Sequence, residues 1–590
     1  MHLKTLFPRR LRISTAAGAA LALLVTGCSH AQVPTSSTPT GALSRPGTLA
    51  PVDRAANLRF LTQATMGPSA ADEAALAPLG PQRWIEKQFQ LPARSHRAQW
   101  EAADAAIRAA DPTRRAGVNE VLDAFWTQAL TGPDQLRLRV AFALSQIFVV
   151  SAVDSAVANE PRALADWLDM LGANAFGNYR DLLQAVALHP QMGRYLSHLR
   201  NQKADPVTGR VPDQNFARES MQLFSIGLVA LNPDGTPSGT AEAYGPDDVA
   251  GLAKVFTGWS WACPAAPSNN CFNNGTPGNG VAGDPDRAFK PMVPYPQFHS
   301  AEEKRFLGTT IPAQNPADPV TSLRIALDTL AAHPNVGPFI GRQLIQRLVT
   351  SNPSPQYVAA VSQAFANNGS GVRGDLKAVI RAVLLHPEAR QLAAPTSTGG
   401  KLREPVLRLS AFLRAYPHTS DSGQWRVGNT DNPATSLAQS PLRAPSVFNF
   451  YRPGYVAPLS NSAARGMVAP ELQILDETSA AGWINAMRDN LSRGVGSTGA
   501  ALNRRDLQRN WAAEMALADK PGALVAKVTE TLLAGQATPA LNSEITAAVS
   551  AIVVPAFNGS NQAAIDTALR NRVFSTLLLT LATPDFIVHR

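Results

Sequence analysis

The run Pro133-Asp134-Gln135-Leu136-Arg137-Leu138-Arg139-Val140-Ala141-Phe142-Ala143-Leu144-Ser145-Gln146-Ile147-Phe148-Val149-Val150 decides the architecture. It opens on a proline, which suits the first turn of a helix. Its apolar side chains follow the 3.6-residue period instead of alternating, so the run predicts a helix. Outward from it the same period dominates. Towards the N-terminus it predicts helices over Asp53–Thr65, Pro81–Gln90 and Asn119–Leu130. Beyond it come Pro161–Leu171, Tyr179–Leu188, Asn215–Leu228, Asp247–Phe256, Thr321–Ala332, Gly337–Val349, Pro355–Ala366 and Arg373–Leu385. Pro405–Tyr416, Pro470–Ser492, Asp506–Ala518, Ser543–Val553 and Asn561–Leu581 complete the set. Alternating strand patterns are scarce. The expected fold is all-α, a large multi-helix array with long irregular Pro/Gly/Asn-rich insertions over residues 53–590, long enough for more than one lobe.

The longest insertion runs from about Trp259 to Phe306 and carries Trp261, Phe272, Phe289, Tyr295 and Phe298. Loops of this length are functional or disordered; its aromatics and its two cysteines, Cys263 and Cys271, argue for order. In an oxidising compartment that pair is expected to close a local disulfide. A second irregular stretch, Ser440 to Tyr455, has three prolines that forbid a regular helix, yet is strongly aromatic. It reads as a buried crossing or a groove wall, with Arg443, Asn449 and Arg452 available to a ligand.

The N-terminus carries an address. Lys4, Arg9, Arg10 and Arg12 precede a small, apolar run to Gly27, and Cys28 follows. The run falls short of the about 20 apolar residues that span a bilayer and fits a secretory h-region of about 7–15. Residues 1–27 therefore read as a lipoprotein signal, Cys28 as the lipidated residue, and residues 28–52, rich in Pro, Ser, Thr and Gly, as a flexible tether. Ser29 after the cysteine points to the outer membrane. Without the four signal cations, 49 Lys and Arg face 44 Asp and Glu. That mild excess is no nucleic-acid footprint.

Chemical motifs are few. Gly494-Val495-Gly496-Ser497-Thr498-Gly499 spells a dinucleotide fingerprint, but a helix precedes it where a strand is required. Gly400-Lys401 lacks the rest of a phosphate loop. No nucleophile elbow, zinc-protease or haem motif occurs, and no cofactor or metal is expected. His-Pro recurs at His189, His333 and His386, each between two helices; the proline rule makes these corners, not ligands. Glu404, just before Pro405, is expected to complement a helix N-terminus. In the segment from Asn215 to Phe224, Glu219 falls inside an apolar arc while Arg218 points away. A carboxylate there is costly unless paired, and desolvation would fit it for acid/base work.

Several blocks together resemble the bacterial family known as domain of unknown function 1800. They are Arg59 to Pro68, Leu138 to Phe148, Asn215 to Glu219, Phe256 to Trp259, Arg342 to Leu348, Lys401 to Pro405 and Ser440 to Tyr455. The resemblance implies an exported protein whose gene often neighbours that of a sulfatase-like exported protein, and supplies no agreed activity. One departure stands at His299-Ser300, where the family often has His-Asp. Two functions follow as expectations. The first is a non-enzymatic, lipid-anchored envelope protein that binds a partner protein or polymer. The second is an envelope hydrolase or transferase with Glu219 as general acid/base and Arg443 or Arg452 on an anionic substrate. The second requires Glu219, His299 and Arg443 to converge; Arg218, Trp259 and Asn449 are further binding candidates.

Overall fold

Three helices at the centre of the molecule have no polar face. In the computed structural model, which describes residues 54–391, 399–499, 503–534 and 536–589, helix Gln135–Ser145 is buried from Gln135 to Leu144 apart from Arg137. Helix Val336–Leu348 is buried at all but Phe339 and Arg342, and helix Pro405–Ala415 from Pro405 to Arg414. A helix buried on every side belongs inside a large protein. Around them pack amphipathic helices such as Pro161–Asn174, which buries Leu164, Trp167, Leu168 and Leu171 at helical spacing and lies against His96–Ala110 and Gln135–Ser145. Among the described residues there are twenty-six α-helices, and one apolar core runs from Phe60 to Phe586. The chain is mostly helical, as its periodicity implies.

Close contacts tie the first and last described segments to the central helices. At Gly67, with φ of +135°, a Cβ would stand 2.4 Å from the Ala411 Cα. Only glycine lets the backbone pass the Pro405–Ala415 helix so closely. There the Arg414 Nε donates to the Gly67 carbonyl at 2.6 Å and the Ser410 hydroxyl to that of Met66. Strands are short. The pair Lys401–Leu402 and Val588–His589 is antiparallel, with His589 opposite Lys401, so the end of the chain reaches the Lys401 block.

The long insertion is ordered. Cys263 and Cys271 form a disulfide with a Cα separation of 5.7 Å. Phe272 stacks on Phe298 and meets Tyr295 edge-on, and the Tyr295 hydroxyl donates to the Trp261 carbonyl at 2.7 Å. The three His-Pro corners share one device. In each, the histidine Nδ1 accepts the backbone N–H two residues on, from Gln191 at 3.1 Å, Asn335 at 3.2 Å and Glu388 at 3.3 Å. The imidazole thus satisfies an orphan donor at the helix start.

Several elements depart from the periodicity. Asp506–Ala518 begins inside strand Arg504–Gln508 and holds only a short helix, Ala512–Met515. The Asp506 carboxylate accepts from the Ser420 hydroxyl and the Ser422 and Arg426 amides, which holds the segment extended. It pairs with Val495–Gly499, the glycine-rich run, which follows helix Glu477–Arg493 as a strand. Pro470–Ser492 splits at Asp476, whose side chain caps a new helix by accepting from the Ser479 amide. Helix Asn215–Gln222 stops short of Leu228. Helices His96–Ala110 and Pro521–Leu533 have no counterpart in the sequence reading. Residues 1–27, Cys28 and the tether to residue 52 lie outside the described residues. Among the described residues no helix is long and apolar enough to cross a membrane.

Candidate functional site

The central helices each carry charge into the core, and the charges meet. Glu404, fully buried, occupies the N-cap position of helix Pro405–Ala415 but makes no cap bond. Gln439 caps instead, accepting the Val406 N–H at 3.0 Å. This corrects the expectation that Glu404 serves its helix N-terminus. Its carboxylate turns inward, and Oε2 accepts from Gln146, from Gln439 at 2.6 Å and from the Tyr451 hydroxyl at 3.1 Å. Beside it, Lys401 and Glu471 form an ion pair at 3.0 Å with both side chains 2% exposed. The same ammonium donates to the carbonyls of Gln346 and Arg347 at 3.0 and 2.8 Å, so all three protons are used. Arg347 donates to the Gln146 carbonyl at 2.9 Å and Arg139 to that of Arg347 at 2.5 Å. Burial lowers the pKa of both arginines and raises those of Glu471 and Tyr451. The Glu404 Oε1 and Glu471 Oε2 have no hydrogen-bond partner. Closed to solvent and tied to backbone carbonyls, this cluster is built to lock helices together.

Every group in it except Gln439 and Glu471 comes from four of the sequence blocks: Leu138 to Phe148, Arg342 to Leu348, Lys401 to Pro405 and Ser440 to Tyr455. A family model described as protein of unknown function (DUF1800) matches residues 59–588. The chain belongs to the DUF1800 family. No curated protein and no solved structure matches it. In this DUF1800 chain, blocks separated by hundreds of residues meet at one buried charge network, and Gln346 extends it by donating to the Pro453 carbonyl at 3.1 Å.

Among the described residues, the binding and acid/base candidates read from sequence share no hydrogen bond or ion pair with one another, and none of their side chains joins the Glu404–Lys401 network. Glu219 is buried, its Oε2 has no partner, and burial raises its pKa against the weaker opposing pull of Arg218; Arg218 itself is exposed. His299 is fully buried, with Nδ1 2.7 Å from the Thr257 carbonyl and Nε2 3.2 Å from the Ser322 hydroxyl. Burial pulls its pKa down to about 4, so it is neutral. Trp259 is buried in the two-residue strand Trp259–Ser260. Arg443 pairs with Asp431 at 2.6 Å. Asn449 is buried with φ of +63° and an unpartnered amide nitrogen, and the Arg452 guanidinium lies 4.6 Å over the Phe448 ring. Among the described residues no three His, Cys, Asp or Glu are grouped to hold a metal ion.

Sequence reasoning missed Asp123. It lies on helix Val118–Thr131 and, with Glu120, Gln99, Gly423 and Gln424, lines a cavity of about 220 Å³. Burial first, then the neighbouring Glu120, raises its pKa to about 7. The available signal was Asp123 set among Val121, Leu122, Ala124, Phe125 and Trp126, the same anomaly that marked Glu219. Without the facing loop at Gly423 no cavity is implied.

Proposed function

We propose that this chain is a lipid-anchored scaffold of the cell envelope. It would be held at the outer membrane through Cys28 and bind a partner protein or envelope polymer through its ordered irregular segments. The partner suggested by the family's gene neighbourhoods is a sulfatase-like exported protein. The observation that carries this reading is the contrast between core and loops. The buried charge network is sealed and tied to backbone carbonyls, while the irregular segments are pinned by specific bonds and present apolar side chains to solvent. Val456 is 40% exposed and Leu459 fully exposed, on the segment anchored by the Gln346 bond to Pro453. Rigid loops lose little entropy on binding. The test is two-fold. Labelled palmitate should enter the wild-type chain and not Cys28→Ala, which should leave the membrane fraction. The sulfatase-like protein, co-expressed, should co-purify from solubilised envelopes with wild type and not with a Val456→Asp/Leu459→Asp variant. Equal recovery with both would refute the loop assignment.

A second reading, an envelope hydrolase or transferase with Glu219 as acid/base, draws on the unpartnered Oε2 and raised pKa of that residue. Glu219→Gln separates the two. The scaffold reading expects unchanged or slightly raised stability and intact partner binding, since the amide removes a costly buried charge. Normal stability and binding with a lost cellular phenotype would favour chemistry.

A further inference from the structure

Beside the Lys401–Glu471 pair the molecule gathers several buried cations around two cavities. Arg59, Arg403 and His589 line a cavity of about 40 Å³. Arg403 and His589 also line a second cavity of about 10 Å³, together with Arg139 and Lys401. Arg59 comes from the first helix, Arg403 precedes the central helix, and His589 arrives through its strand pairing with Lys401. All are less than a tenth exposed. Each spends only part of its hydrogen-bonding capacity on protein. Arg59 donates Nε to the Ala389 carbonyl at 3.2 Å, and Arg403 donates one terminal nitrogen to the Phe586 carbonyl and stacks 4.5 Å over the Phe586 ring. Left without partners are the Arg59 Nη1, the Arg403 Nε, the His589 Nε2 and, towards the smaller cavity, the Arg139 Nε and Nη1.

Asp585, which also lines the larger cavity, is engaged by a partner of its own. Burial pulls Arg403 down to about 9 and Arg390 to about 10, and neighbouring arginines push the same way. The His589 imidazole is driven well below its usual range by burial and then by Arg59, Arg403, Lys401 and Arg390. A water needs roughly 10–15 Å³ of such space, so the smaller cavity has room for about one water and the larger for about three. Buried cations left uncompensated are strongly destabilising, and orphaned buried donors cost about 1–3 kcal/mol each. Water relieves the donors but leaves the charge; an anion relieves both.

We propose that the larger cavity is a ligand site for a small oxyanion, a phosphate or sulfate group, received by the free donors of Arg59, Arg403 and His589. Planar guanidinium donors suit such oxygens. The remaining wall is apolar, with Leu58, Leu532 and Leu533, so the group can be free inorganic anion or the head of a ligand with a short hydrocarbon part.

The test uses the full chain in detergent at matched ionic strength, with chloride as reference and inorganic phosphate, inorganic sulfate and butyl phosphate as probes. Expected is saturable one-site binding by calorimetry and a thermal midpoint that climbs with oxyanion concentration, as binding to the native state alone requires. Arg59→Gln should weaken binding at least tenfold and Arg59→Lys less. Tighter butyl phosphate binding would identify a headgroup site, and equal binding a site for the free anion. Because Arg59→Gln can fail to fold, the His589 imidazole is followed by NMR in wild type, where oxyanion should raise its pKa. No saturable binding, an unmoved His589, or a folded Arg59→Gln that binds like wild type would overturn the proposal.

Discussion

Lys401→Met is expected to destabilise the protein by about 3–5 kcal/mol, the usual cost of removing one member of a buried ion pair. The loss exceeds the pair's own strength because Glu471 stays behind, buried, with burial already raising its pKa and one oxygen already unpartnered. The carbonyls of Gln346 and Arg347 lose their donor at the same time. Lys401→Met combined with Glu471→Leu should recover most of the loss, since apolar replacement of both partners is often neutral or better. Denaturant unfolding of the wild type, both single variants and the double variant at pH 7 measures the coupling. A single variant within about 1 kcal/mol of wild type would mean that the pair does not hold the central helices together.

Asp123→Asn is expected to stabilise the protein above neutral pH. The Asp123 carboxyl has a pKa of about 7 in the fold against 3.8 for the free side chain. A raised acid favours the native state fully only below the lower value, and that contribution is lost as pH climbs through the higher one. Wild type should therefore weaken between about pH 4 and pH 7 through this group, while the amide variant does not. The difference at pH 8 is at most about 4 kcal/mol, from the separation of those two values at about 1.4 kcal/mol per factor of ten in acidity. Midpoints of both proteins at pH 5 and pH 8 decide it. Parallel pH profiles would show that the carboxylate is already well solvated in its cavity.

Helix existence was legible where local signals agreed. Val118–Thr131 lies within one residue of its expectation at each end, and Gln562–Ala582 is as close. The His-Pro corners were legible because the proline constraint is local. Arg504–Gln508 was not, because its extended state depends on Asp506 binding the amides of a loop some eighty residues earlier. Glu404 was misread for a related reason. Its place before Pro405 is an N-cap position, yet Gln439 does the capping and releases the carboxylate to the core. Glu219 and Asp123 show the same limit from the other side. A carboxylate in an apolar run marks burial, but only the facing segments say whether it meets a cavity, a donor or nothing.

The amino-acid order alone determined the helical class, the family blocks, the Cys263–Cys271 pair and the corners, because each depends on residues within a turn or a short loop of one another. Tertiary structure alone decided that four of those blocks close on a single sealed charge network, that His299 meets Thr257 and Ser322 and Arg443 meets Asp431, and that Arg59, Arg403 and His589 surround one cavity. Those outcomes depend on which buried group reaches which partner across hundreds of residues. In a dry interior that choice is settled by pairing charge and donor in three dimensions, which helical periodicity does not encode.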